Sequence, residues 1–250
     1  MDREAGVPVD VGDDEPVWII EFLGRGVLPT CLAAMAPGGA SVSSDPVDLE
    51  DLWRCTSKFG AELLLLGDVV ATRGQVDHSW QSVVIESFPS REVLGQARER
   101  LRNRRGAGLT ATVTGAPTGP RWTFTATAVE TPPDLQAGTT HELDHVINIV
   151  MMSYTDPEHV ERFLDATRGL AGSAGARREA WLEIRNQITD HSAGFDELFV
   201  SRYPTIGAWQ ALHDNEGWAP HSLELESHMA AFLDVVIQPR INRLATQRRD

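Results

Sequence analysis

Residues 44–53, SDPVDLEDLW, run in step with residues 155–164, TDPEHVERFL, and the likeness carries on down the chain. In each stretch Ser or Thr followed by Asp supplies a helix cap, with Pro46 or Pro157 in the first turn. Leu49, Leu52, Trp53 and Thr56 then recur at helical spacing, as do Val160, Phe163, Leu164 and Thr167. Gly60-Ala61 and Gly175-Ala176 end these helices, and a strand follows each, ELLLLGDVV or AWLEIRNQI. Asp77-His78-Ser79 and Asp190-His191-Ser192 mark matching turns. Third strands follow, SVVIESFPS and ELFVSRYPT, ending in Phe88-Pro89-Ser90 and Tyr203-Pro204-Thr205. The glycines (60 and 175) and the prolines (89 and 204) share one offset of 115 residues. Anchors that keep their order and spacing point to a duplicated chain.

First strands VWIIEFL (17–23) and VINIVMM (146–152) and last strands WTFTATAV (122–129) and FLDVVIQ (232–238) complete a βαββαβ order in each half. The expected fold class is α+β: two tandem ferredoxin-like domains, 16–130 and 145–250, forming an intramolecular dimeric α/β-barrel. Residues 1–15 are expected to be a disordered tail and 131–144 a linker. The first half carries extra chain at 24–43 and a hairpin pattern at 109–129.

Composition narrows the function. A formal charge of −14 disfavours nucleic acid and anionic membranes, which need clustered Lys and Arg. The basic end RINRLATQRRD is too short to reverse that balance. No apolar run approaches the ~18 residues needed to span a bilayer, and the acidic start lacks a signal peptide's apolar core. Two cysteines, Cys31 and Cys55, make no disulfide framework. The chain is expected to be cytoplasmic, as a monomer or homodimer. Lys58 is its only lysine, which argues against Schiff-base chemistry.

His141-Glu142-x-x-His145 has the spacing of a zinc peptidase. That chemistry needs both histidines on one helix, one turn apart. Here Pro132-Pro133 and Gly138 precede the motif and the β-branched VINIV follows it, so no metal is expected.

Two four-stranded sheets with helices on one face each can close face to face around a cavity. Strand alternation nominates its lining. Leu182 and Ile184 suit the helix side of their strand, leaving Trp181, Glu183 and Arg185 for the cavity. Asn148, Met152 and Tyr154 share a face of VINIVMMSY. Arg202 and Tyr203 lie on opposite faces of ELFVSRY. Pro220 opens a helix on which His221, Glu224, Leu225 and His228 fall to one side, a histidine–carboxylate arrangement suited to general base work. The expected catalytic residues are His221, Glu183 and Arg185; the expected substrate contacts are Trp181, Asn148, Arg202, Tyr203 and His228. No phosphate-binding glycine loop, dinucleotide fingerprint or nucleophile elbow occurs.

Residues 195–239 resemble the small domains of the dimeric α/β-barrel superfamily: a strand ending in Tyr203-Pro204-Thr205, a helix, the step Asp214 to Trp218, then His221 on a helix before the last strand. Ser222 stands where that subgroup carries Arg after the His. The first half matches at VVIESFPSREVL alone. The resemblance implies relatives such as antibiotic-biosynthesis monooxygenases, polyketide cyclases, lactone isomerases and haem enzymes. The expected function is metal-independent oxygenation, cyclisation or isomerisation of a small aromatic or polyketide-like metabolite in secondary metabolism, with no cofactor. The alternatives are a haem or flavin enzyme, with His221, His228 or His191 as axial ligand, and a non-catalytic binding protein.

Overall fold

The computed structural model describes residues 15–35, 48–74, 80–105, 121–130, 145–187 and 194–244. The tail at 1–14, His141 and Glu142 of the zinc-like motif (whose second histidine, His145, is described), the linker, and the turns at His78 and His191 lie outside them. Eight strands form one closed antiparallel barrel: β1 (Val17–Gly24), β2 (Glu62–Gly74), β3 (Trp80–Phe88), β4 (Arg121–Glu130), β5 (Val146–Tyr154), β6 (Arg177–Gln187), β7 (Glu197–Tyr203) and β8 (Met229–Asn242). Around it the described residues form helices α1 (Thr30–Met35), α2 (Leu49–Lys58), α3 (Arg91–Arg105), α4 (Pro157–Ser173), α5 (Ile206–His213) and α6 (Ala219–Ser227). None of these helices is long and apolar enough to cross a membrane.

The first four strands lie in the order β4-β1-β3-β2 and the last four in the order β8-β5-β7-β6. Both runs place their fourth, first, third and second strands side by side. Strand β2 pairs with β8, and β4 with β6, to close the ring. At the first of these seams a Cβ on Gly67 would run into Ile237 and the Gln238 carbonyl (2.7 Å). Only a residue without a side chain lets the strands approach there.

The repeated anchors have a physical basis. Asp156 caps α4 by accepting the Glu158 amide (3.0 Å), with Pro157 in the first turn. The other helix starts later than expected: Asp48, not Asp45, caps α2, accepting from Glu50 N (2.8 Å) and Asp51 N. Gly60 and Gly175 both take positive φ (78° and 75°). In each case the next residue's N–H reaches back five residues, Ala61 to Thr56 O (3.1 Å) and Ala176 to Ala171 O (3.0 Å), a closure that favours glycine.

The barrel interior is a packed core. Ile20, Phe22, Phe124, Ile149, Leu182 and Leu198 belong to one buried cluster that crosses it. Ring pairs Trp80–Trp122 (4.7 Å), Phe22–Trp80 (5.7 Å) and Phe124–Phe195 (6.0 Å) knit one end. An eight-stranded barrel is just wide enough for its own side chains to fill.

This reverses the expected alternation. Leu182 and Ile184 point inward, while Trp181 packs outward against Phe199 and Leu225. On β5, Ile147, Ile149 and Met151 point inward, and Asn148, Met152 and Tyr154 face the helices. Bulges at Leu63/Leu65 and Arg178/Ala180 add to the displacement, since one extra residue moves the following side chains to the other face.

Candidate functional site

With the interior filled, the polar side chains worth attention lie outside the barrel, between β5, β7, β8 and helices α4 to α6. Asp234 interrupts the apolar run of β8, and alternation sends it outward between inward-facing Leu233 and Val235. It is almost fully buried. Asn148, on neighbouring β5, donates its amide to Asp234 Oδ1 and, at 3.4 Å, to Val235 O.

His213 closes the group from above, in the last turn of α5. Thr205 caps this helix by accepting the Ala208 amide (3.0 Å). The His213 Nδ1 lies 2.8 Å from Trp209 O, a contact that needs a hydrogen on Nδ1. Its Nε2 therefore carries the lone pair, and it faces Asp234 Oδ2 at 3.6 Å. The imidazole is held between Trp209 (4.4 Å) and Trp218 (5.5 Å), and Phe163 backs Trp218 (5.4 Å).

Burial dominates the electrostatics. It pushes the Asp234 carboxyl up to about 7, against the Asn148 hydrogen bond and the charge of Arg73, which pull it down. It also lowers His213. Both shifts favour the uncharged pair in a low-dielectric layer. Tyr203 is raised too, by burial first and by the Asp234 charge second. Two donors beside this pair stay unanswered: Trp209 Nε1 and Trp218 Nε1 are buried without a hydrogen-bond acceptor.

Sequence reasoning supplied Asn148 and Tyr203 of this group and missed Asp234 and His213. The other expected residues are spread out. Glu183 and Arg185 form an ion pair with each other (2.7 Å) on the outer face of β6, and Arg185 Nε bonds Thr127 Oγ1 (3.0 Å). Trp181 stacks on Phe199 (5.3 Å). Arg202 turns toward one end of the barrel interior, where its Nε meets buried Glu179 (3.1 Å). Asn242 Nδ2 links Glu179 (3.3 Å) to His145 Nε2 (3.0 Å) in the same network. His221 is half-buried on α6, and His228, just beyond it, offers its carbonyl to Thr155 N (3.0 Å). Among the described residues no hydrogen bond or ion pair joins His221 to Glu183 or Arg185. No group of three or more His, Cys, Asp or Glu among them is placed to hold a metal ion.

No protein-family model and no curated protein matches the chain. Solved structures do. An anthrone oxidase-like protein aligns over 91% of this chain and 92% of its own, with a TM-score of 0.52 and 14% identity. A mutant chlorite dismutase from Candidatus Nitrospira defluvii aligns over 88% and 91% (TM-score 0.45, 9% identity). A heme-binding protein from Thermus thermophilus aligns over 90% and 91% (TM-score 0.40, 12% identity). With the anthrone oxidase-like protein the likeness is one of fold.

The expectation of no cofactor is corrected by these comparisons, whose neighbours include a chlorite dismutase and a heme-binding protein. A haem needs an axial donor and room for a macrocycle. Here His213 has Nδ1 on a backbone carbonyl and Nε2 facing Asp234 at 3.6 Å, with indoles against its ring. Beneath α6 the layer is filled by Met152, Val160, Phe199 and Leu225. Among the described residues, this layer does not fit a haem.

Proposed function

We propose that this chain is an enzyme that binds a small apolar metabolite between the second half of the barrel and α4 to α6 and takes a proton from it. One observation carries the reading: a buried carboxyl–imidazole pair stands beside two indole N–H groups without acceptors. Native proteins leave few buried donors unpaired. An oxygen of a bound metabolite supplies what Trp209 and Trp218 lack.

Asp234, raised to about 7, is in its ionised form a base matched to neutral pH. It takes the metabolite's proton and becomes the neutral acid that burial favours. His213 Nε2 passes that proton toward solvent, which reaches 13% of the side chain. Asn148 fixes the carboxyl and Tyr203 closes the floor. Trp181 contributes to the wall, and His221 and His228 flank the layer at α6. Oxygenation, cyclisation and isomerisation of hydroxylated or keto compounds all start from a deprotonated form, and an oxidase-type reaction on a hydroxyaromatic compound agrees with the anthrone oxidase-like neighbour. The scaffold is read as two fused ferredoxin-like units, residues 16–130 and 145–250, with the site in the second.

Hydroxyaromatic metabolites incubated with the protein, with product followed by mass spectrometry, test this. The expected kcat/KM rises with pH to a plateau, half-maximal near 7, as Asp234 ionises. A flat profile across neutral pH would exclude Asp234 as the base, and binding without turnover would make the chain a sequestering protein.

A further inference from the structure

The first half of the molecule buries a different polar group that plays no part in the reaction above. Cys31, in α1, and Cys55, in α2, are free buried thiols in one apolar cluster with Val27, Leu52 and Phe59. The Cys55 thiol is the neighbour that acts most strongly on the Cys31 thiol. Two buried carboxyls, Glu21 and Glu86, share this neighbourhood. Glu86 faces Ile19 in the β1–β3 ladder, so it is the diagonal neighbour of Glu21 on one face. Glu21 accepts the Thr30 amide (3.0 Å) and the Thr30 hydroxyl. Thr56 Oγ1 lies 2.8 Å from both Leu52 O and Glu86 Oε1. The Thr56 hydroxyl is shared between these two acceptor oxygens.

We propose that Cys31 and Cys55 are a reversible dithiol–disulfide pair, a modification site at which a hydroperoxide staples α1 to α2. One sulfur attacks the hydroperoxide's terminal oxygen; the O–O bond breaks, leaving a sulfenic acid and an alcohol, or water if the oxidant is hydrogen peroxide. The second sulfur displaces the sulfenic oxygen, which departs as water with that thiol's proton. Two thiols and one hydroperoxide thus give one disulfide, one water and one alcohol. The partner thiol lies in the same buried cluster, where α1 packs on α2. The first step is slow, since the attacking species is a thiolate and the Cys55 thiol, burial and the neighbouring carboxyls all hold Cys31 protonated. The pair therefore rests as a dithiol and responds to sustained peroxide. A disulfide there spans residues 31 to 55 and restricts the unfolded chain.

Full-length protein treated with hydrogen peroxide, quenched and measured by intact mass under non-reducing denaturation gives the test. The expected product is lighter by about 2 Da, the two hydrogens lost. Proteolysis releases one cross-linked peptide carrying both cysteines, and dithiothreitol restores the dithiol. Its melting temperature rises on the order of 5–10 °C. A chain that keeps two alkylatable thiols, or that gains oxygen mass on separate cysteines, overturns the proposal.

Discussion

Asp234→Asn leaves the protein folded and lowers turnover by about a hundred- to ten-thousandfold, the range of a lost general base. The amide has the carboxyl's shape and keeps an oxygen for the Asn148 donor, so no buried partner is stranded. It cannot accept a proton. The same change removes a carboxyl whose ionisation burial opposes. The sign follows from linkage: a folded value near 7 against 3.8 unfolded makes the native state bind the extra proton between those values, so the wild type loses stability as pH rises through that window. The variant escapes this loss and melts no lower than wild type at about pH 8. Unfolding and turnover measured on one preparation separate the roles. A variant that melts far lower, or one that keeps its activity, assigns Asp234 to structure.

Phe124→Ala costs roughly 3–5 kcal/mol, the range for truncating a buried phenylalanine. Phe124 is fully buried inside the barrel, with ring contacts to Phe22 (6.1 Å), Trp122 (6.2 Å) and Phe195 (6.0 Å). Truncation removes all three and leaves a void that surrounding strands cannot collapse into, because every strand is paired on both sides. For a chain of this size the melting temperature falls by roughly 10 °C. Denaturant titration is the check. A loss under about 1 kcal/mol would mean that the ring faces a cavity, not a core.

The element order was legible because it follows from local rules. Pro157 and the Asp caps start helices, Gly60 and Gly175 end them with a left-handed residue, and 2.0 against 3.6 periodicity separates strands from helices. What ran the wrong way was the choice of face. The apolar character of Leu182 and Ile184 suits a helix-facing side, yet a closed barrel takes its largest aliphatic side chains inside. Helix packing on this sheet is met by Trp181, Phe199 and Met152 instead. The bulges at Leu63/Leu65 and Arg178/Ala180 leave no mark in composition. The site was half legible. Asn148 within VINIV drew notice, and Asp234 within FLDVVIQ is the same signal, a polar residue in a strand too apolar to be exposed. His213 carries no such mark. It ends an ordinary amphipathic helix, and only the docking of α5 over β8 brings it to Asp234.

The central claim is that the metabolite sits under α5, beside the Asp234–His213 pair, and not in the barrel. The seven tryptophans give seven indole N–H signals, and single Trp→Phe variants assign them. With 2-naphthol as probe, a planar hydroxyaromatic, the account predicts that Trp209 and Trp218 shift on binding while Trp80 and Trp122, inside the barrel, hold still. Shifts confined to Trp80 and Trp122, or no response from any indole at saturating probe, would contradict it.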